Sequence, residues 1–273
     1  MELIVFDLDG TLLDASSRIS PYTRETLARL AEQDVLYTVA TGRALHAARD
    51  LIDGHGFRLP QVYKNGVLIW QPEANDYSRH THLTADEIRH VFDAVLRQGV
   101  TPFLSTLEPG GVHGVYHTPL GSAAERALAD EFRSRTDVKL RPAAHMPADA
   151  EITSISALGP ATAITAVQAL VADEAELVAY AGPALEGGEL MWIDIHHREG
   201  SKGNAVEVLR EELGASRVVC FGDGDNDLSM FATADEAYAP ANARPEVRGA
   251  ATAVIGHHDE DGIARFLRER FGL

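Results

Sequence analysis

The sequence predicts an α/β protein: a parallel sheet with helices on both faces, interrupted by an inserted α+β block. Three observations carry this. Short β-rich runs alternate with helical patterns at both ends of the chain, every strong polar cluster directly follows one of those runs, and the middle of the chain switches to paired strands. Sheets of this kind bind ligands beyond the carboxyl ends of their strands.

Taken in order, "ELIVF" (residues 2–6) is a buried strand. A helix follows in "SPYTRETLARLAEQ", with Ser20 as N-cap and Pro21 in the first helical position. "VLYTVAT" is the next strand and "GRALHAARDLIDG" a helix that stops near Gly54. "QVYKNGVLIW" reads as two strands joined by an Asn-Gly turn. The middle block opens with the helix "TADEIRHVFDAVLRQG", whose Thr84 and Glu87 make a capping box. Strands at "TPFLSTL", "GVHGVYH", "VKLR", "EITSISALG" and "ELVAYAG", with two more helices, suggest an antiparallel sheet covered on one face. We therefore expect one domain from residues 1–82 and 186–273, with residues 83–185 inserted. The second half of that domain continues with a strand at "ELMWIDI", a helix closed by Gly214, a strand at "RVVCF" and a closing amphipathic helix.

Composition narrows the function classes. A net charge of −17 argues against nucleic acid and anionic membranes as partners. The single cysteine, Cys220, rules out a disulfide framework and is expected in the core. The first apolar run is too short for a signal peptide and no stretch is long enough to span a bilayer, so a cytoplasmic protein is expected. The histidine pairs His196-His197 and His257-His258 do not have zinc-site spacing, and Trp70 and Trp192 are expected in the core.

The chemistry lies at three strand ends. Asp7 and Asp9 follow "LIVF", Thr41, Gly42 and Arg43 follow "LYTVA", and "GDGDND" (residues 222–227) follows "RVVCF". At least three carboxylates then share one sheet edge, where they cannot all stay ionised without a compensating cation. A hard divalent ion, Mg²⁺, is the simplest compensation. Gly10, Gly42, Gly222 and Gly224 would let backbone N–H groups approach an anion. Of only three lysines, Lys202 alone opens a helix after an expected core strand, so it is the candidate fixed cation. Two aspartates two residues apart can divide phosphoryl transfer between a nucleophile, Asp7, and an acid/base, Asp9. Strand alternation would put both on one face, with Leu8 on the other.

These residues, in this order, resemble the haloacid dehalogenase superfamily. "DLDGT" is similar to its first motif, "ATGR" to its second, "SKG" to its third and "GDGDND" to its fourth. "KNGV", "GDGDNDLSMF" and "ANARPEV…DEDGIARFL" further resemble the Cof-type phosphatase branch, which carries an α/β (type IIB) cap. The resemblance implies a Rossmann-like core, with the inserted block as a substrate-selecting cap. It also implies hydrolysis of a small phosphorylated metabolite such as a sugar phosphate. Asp7, Asp9, Thr41 and Lys202 would be catalytic, and Gly42, Arg43, Asn65, Gly66 and Asn226 would contact substrate. Mg²⁺ would be held by Asp7, the main-chain carbonyl at Asp9 and Asp223, with Asp227 behind them. A phosphomutase with the same core, or a phospho-ligand sensor without turnover, remains compatible with the residues. Asp9 weighs against the sensor, which needs only one aspartate.

Overall fold

The computed structural model describes residues 1–108, 111–134, 138–184 and 189–273. Two compact units result, one from Met1–Arg79 with Gly200–Leu273, the other from His80–Glu199. The first crossing lies three positions before the expected one, while the expected return at 185/186 falls outside the described residues.

The first unit begins with β1 (Glu2–Phe6), whose Leu3, Ile4, Val5 and Phe6 are all fully buried, as befits a strand covered on both faces. Helix α1 (Pro21–Glu32) starts where expected: Ser20 Oγ accepts from Thr23 N at 3.0 Å and Pro21 takes the first turn. β2 (Leu36–Val39) follows, then α2 (Leu45–Ile52), which starts three residues later than the sequence suggests because Gly42–Ala44 form a loop. β3 (Gln61–Tyr63) and β4 (Leu68–Gln71) pair antiparallel about Lys64–Gly66, as the Asn-Gly signal predicts, and β5 (Asp76–His80) completes a three-stranded sheet.

The second unit contains α3 (Ala85–Arg97), β6 (Phe103–Glu108), β7 (Val112–His117), α4 (Ala123–Ser134), β8 (Val138–Pro142), β9 (Glu151–Pro160), α5 (Ala161–Ala172), β10 (Leu177–Pro183) and β11 (Leu190–His197). Its six strands run in the order β10-β11-β9-β6-β7-β8. The capping box of Thr84 and Glu87 is present.

Three expectations change here. The strand expected in the parallel core, "ELMWIDI", is β11, which pairs antiparallel with both β9 and β10. Alternation along a short apolar strand fits either setting, so the run alone could not distinguish them. The helices also cover both faces of this sheet. Leu104 and Tyr116 pack with α3 and α5, whereas Phe103 and Val115, which point the other way, pack with α4. The cause is a parallel β7–β8 pair, which needs a crossover helix that a purely antiparallel sheet would not. Trp192 on β11 is 42% exposed rather than buried, whereas Trp70 is buried against Tyr77.

The chain returns through α6 (Lys202–Leu213), β12 (Arg217–Phe221), α7 (Leu228–Thr233), β13 (Glu236–Pro240), α8 (Pro245–Ala250), β14 (Ala253–Ile255) and α9 (Gly262–Phe271). Gly214 closes α6 in the left-handed conformation at φ +62°. The five-stranded sheet has the order β14-β13-β12-β1-β2 with every pair parallel. β1 and β12 lie side by side at its centre, so the residues after Phe6 and after Phe221 emerge together. No helix among the described residues is long and apolar enough to cross a membrane.

Candidate active site

The chain turns sharply after β1. Asp7 N donates to Phe221 O at 2.9 Å, which fixes the aspartate between the two central strands. Residues Leu8–Leu12 then form a tight helical turn, with Gly10 at φ +69°. A Cβ on Gly10 would come within 2.4 Å of Asp223 Oδ2, so this position needs both the left-handed backbone and the missing side chain. The turn, not strand alternation, therefore sets where the first two aspartates point. Asp7 is buried, and its Oδ1 accepts from Lys202 Nζ at 2.8 Å. The Asp9 carboxylate points elsewhere, half exposed, and takes a two-point contact from Arg43: Nε to Oδ2 at 2.7 Å and Nη2 to Oδ1 at 2.6 Å.

Lys202 is fully buried at the start of α6, where Ser201 Oγ accepts from Asn204 N. Its ammonium donates to Asp227 Oδ1 at 2.6 Å as well as to Asp7. Burial would lower its pKa, but the charges of Asp227 and Asp7 outweigh that and move it upward, so it is a permanent cation. The other oxygen of Asp227 accepts from Asp223 N and Gly224 N, both at 2.9 Å. Asp227 thus anchors the lysine and shapes the loop after β12. Asp223 lies half-buried, with Thr11 Oγ1 donating to its Oδ1 at 3.0 Å.

One oxygen from each of Asp7, Asp223 and Asp227 lies within 4.8 Å of the others. Lys202 supplies one positive charge against three carboxylates, leaving a formal −2 in a largely buried cluster. Burial and the Asp227 charge raise the Asp7 pKa well above the usual carboxylate range, and push Asp223 up to about 6. A compact, electron-rich set of hard oxygen donors with uncompensated negative charge fits a small divalent cation.

The remaining candidates line the adjoining strand ends. Thr41 follows β2; its hydroxyl accepts from Arg43 N at 3.1 Å and keeps its own proton to donate. Asn65, buried in the left-handed conformation at φ +58°, is tied to this loop by Asn65 N to Thr41 O, 3.0 Å. Beside Gly42, Asn226 Nδ2 donates to Asn65 Oδ1 at 2.9 Å. At Gly66, φ is +108° and a Cβ would lie 2.1 Å from Ser201 O, so this glycine lets the hairpin pass against the residue preceding Lys202. All eleven residues singled out from the sequence thus belong to the first unit, at or beside its strand ends. The Asp9 carboxylate alone among the four expected metal-side aspartates lies outside the carboxylate cluster.

Sequence reasoning missed two supports. Asn242 Nδ2 donates to Gly10 O at 2.7 Å, and His258 N donates to Asn242 Oδ1 at 3.2 Å, while His258 Nδ1 bonds Leu13 O at 2.7 Å. They hold the middle and the exit of the turn that aims Asp7 and Asp9. Their only signal was their position in the stretches "ANARPEV" and "GHHDEDG". Cys220 is fully buried in β12 and burial pushes its thiol pKa well up, as suits a core residue.

Residues 4–267 match the haloacid dehalogenase-like hydrolase family. The chain belongs to that family. This haloacid dehalogenase-like hydrolase is 27% identical over 277 residues to the 5-amino-6-(5-phospho-D-ribitylamino)uracil phosphatase YitU of Bacillus subtilis (strain 168), covering 99% of this chain and 98% of the relative. It is 27% identical over 275 residues to the pyridoxal phosphate phosphatase YbhA of Escherichia coli (strain K12), covering 97% of each. A solved subclass IIB sugar phosphatase of the superfamily has the same fold, with TM-score 0.76, 19% identity and coverage of 100% of this chain and 99% of that one. The family and the α/β architecture with an added cap sheet, expected from the four motifs, are borne out.

Proposed function

We propose that this hydrolase is a Mg²⁺-dependent phosphatase of small phosphorylated metabolites, sugar phosphates among them, working through an aspartyl-phosphate on Asp7. The observation that carries the reading is the buried Lys202 bridging Asp7 and Asp227 beside Asp223. The phosphatase relatives, which span nearly the whole chain, support it.

Lys202 occupies one oxygen of Asp7, and no protein donor among the described residues takes the other, which is the attacking atom. That oxygen forms a bond to phosphorus as the ester oxygen leaves, and Asp9 gives the leaving oxygen its proton. Asp9 then takes a proton from the water that attacks phosphorus, which releases phosphate and restores the Asp7 carboxylate. Thr41 donates to a phosphate oxygen, and Lys202 orients Asp7 and works against the protonation that burial favours. A Mg²⁺ held by Asp7, Asp223 and the main-chain carbonyl at Asp9 would offset charge on the phosphoryl group during transfer. Arg43 grips both oxygens of Asp9, so the pair has to loosen for Asp9 to reach the leaving oxygen. A substrate phosphate offers the guanidinium another anion. Asn65, Gly66 and Asn226 are assigned to the substrate side and the His80–Glu199 unit to substrate selection.

The test is phosphate release from sugar phosphates, nucleotides and pyridoxal phosphate, with Mg²⁺ and with EDTA. Asp7→Asn should release none above background while unfolding at the wild-type temperature. Normal turnover by that variant would overturn the assignment of the nucleophile.

A further inference from the structure

On the first unit, away from the carboxylate cluster, a cavity of about 610 Å³ opens between α1, α2, β2 and the β3–β4 hairpin. That volume lies within the range of small-molecule sites, roughly 300–1,000 Å³. Its floor is aromatic. Tyr37 and Phe57 meet edge to face with centroids 5.2 Å apart, and Trp70 forms a buried wall.

Three guanidiniums, Arg24, Arg49 and Arg58, stand around this floor. None makes an ion pair with a carboxylate among the described residues, and Asp53 is the only acid lining the cavity. Six other arginines of the same unit, Arg43, Arg210, Arg217, Arg244, Arg268 and Arg270, each hold a carboxylate. In a protein with 41 acidic and 24 basic residues, three unpaired cations around one cavity form a local reversal of charge. Arg49 already shows the planar contact such a site would use, lying 5.2 Å from the Trp70 ring centroid. Tyr37 Oη donates to the His55 main-chain carbonyl at 3.0 Å, which ties the His55 segment to the floor. The polar atoms of Gln61 are committed to Phe57 O and the Tyr63 hydroxyl, so they do not compete for a ligand.

We propose that this cavity is a second binding site, for a small organic dianion, a phosphate or dicarboxylate, attached to a ring-sized apolar body. The dianion lies between the guanidiniums and the apolar body lies against the Tyr37–Phe57 floor. The site is separate from the carboxylate cluster but shares its scaffold. Tyr37 lies in β2, whose far end leads to Thr41, and Gln61 opens β3, which leads to Asn65. α2 supplies Leu45, Arg49 and Ile52 to the cavity and begins directly after the Arg43 loop. Occupancy therefore bears on the elements that position Thr41, Arg43 and Asn65.

Phenylphosphonate, a ring with a non-hydrolysable dianion, is the probe. It is titrated calorimetrically into the full chain in EDTA, where the carboxylate cluster repels anions. Methylphosphonate and benzamide supply the charge and the ring separately. The expected result is saturable one-site binding of phenylphosphonate, at least tenfold weaker binding of either fragment, and a further tenfold or greater loss in each of Arg49→Ala and Arg58→Ala. Ala28→Phe, which fills the cavity without touching a charge, should also abolish binding. Arg89→Ala, an exposed arginine of the other unit, should bind like wild type. Each variant is checked for wild-type unfolding temperature; for any that unfolds early, Arg24→Gln takes its place. No binding at millimolar probe, or equal binding by the arginine and cavity-filling variants, would overturn the proposal. Because the readout is binding without metal, it stands apart from whether the protein hydrolyses phosphate esters.

Discussion

Lys202→Met removes the one buried ammonium and leaves its methylene volume nearly unchanged. Asp7 and Asp227 then face each other, with Asp223 nearby, and no cation remains in the cluster. Removing one partner of a buried pair costs about 3–5 kcal/mol, because the other charge stays buried and uncompensated. Here two partners are stranded, so the upper end applies: about 5 kcal/mol, against a total stability on the order of 5–15 kcal/mol. Denaturation in guanidinium with EDTA present, followed by circular dichroism, measures this loss. The double variant Lys202→Met/Asp227→Asn removes one of the stranded charges. It should recover about 1–3 kcal/mol relative to Lys202→Met alone, a coupling within the range for contacting residues. A Lys202→Met protein within about 1 kcal/mol of wild type would refute the charge-compensation argument. So would a double variant less stable than the single one.

The other expectations concern the same unit. Gly10→Ala brings a Cβ to 2.4 Å from Asp223 Oδ2 at φ +69°, and should lose most phosphatase turnover and about 2–3 kcal/mol. Gly214→Ala, left-handed but with nothing within 4 Å, should cost only about 1 kcal/mol in thermal unfolding and leave turnover unchanged. Arg43→Ala should lower kcat/KM about 10- to 100-fold, and Arg43→Lys should not restore it, since an ammonium cannot make both contacts to Asp9. Hydrogen bonds from Arg270, Tyr238 and Arg217 hold Glu236 down at a pKa of about 2, against burial. Its folded pKa lies below the unfolded value, so its stabilisation is complete above about pH 5 and lost as pH falls toward 2. Solvent near the pair reduces this to roughly 1–2 kcal/mol, and Arg270→Met should flatten that part of the stability–pH curve.

Much of this site was legible because its residues sit where strands end. Asp7, Thr41 and Asp223 were placed by the rule that apolar runs of a parallel sheet deliver their polar followers to one edge, and β1, β2 and β12 obey it. Lys202 was reached by elimination through a core strand that proved to belong elsewhere, yet the helix start it occupies was read correctly. What stayed hidden depends on contacts distant in sequence. The direction of the Asp9 carboxylate follows from Arg43, 34 positions away, and the turn that releases it is held by Asn242, 232 positions from Gly10. The partners of β11 were equally out of reach, since an alternating strand carries no mark of which sheet will take it. The three unpaired arginines lie in runs that read as ordinary amphipathic surface, and only their convergence distinguishes them.

The central pairing of β1 with β12 also has a bearing on the order in which the molecule assembles. It joins segments as far apart as Met1 and Ser216, whose bond spans 215 positions. More than half of those positions belong to the His80–Glu199 unit, whose own end is pinned near its beginning by His197 Nε2, 3.5 Å from Glu87 Oε1. Once that unit has folded, the chain that must still be closed is less than half as long. The closure entropy falls by about 0.7 kcal/mol, worth roughly threefold in the rate of bringing β1 to β12. Folded first, the insertion would act as a clasp, shortening the search by which the two halves of the central sheet find each other.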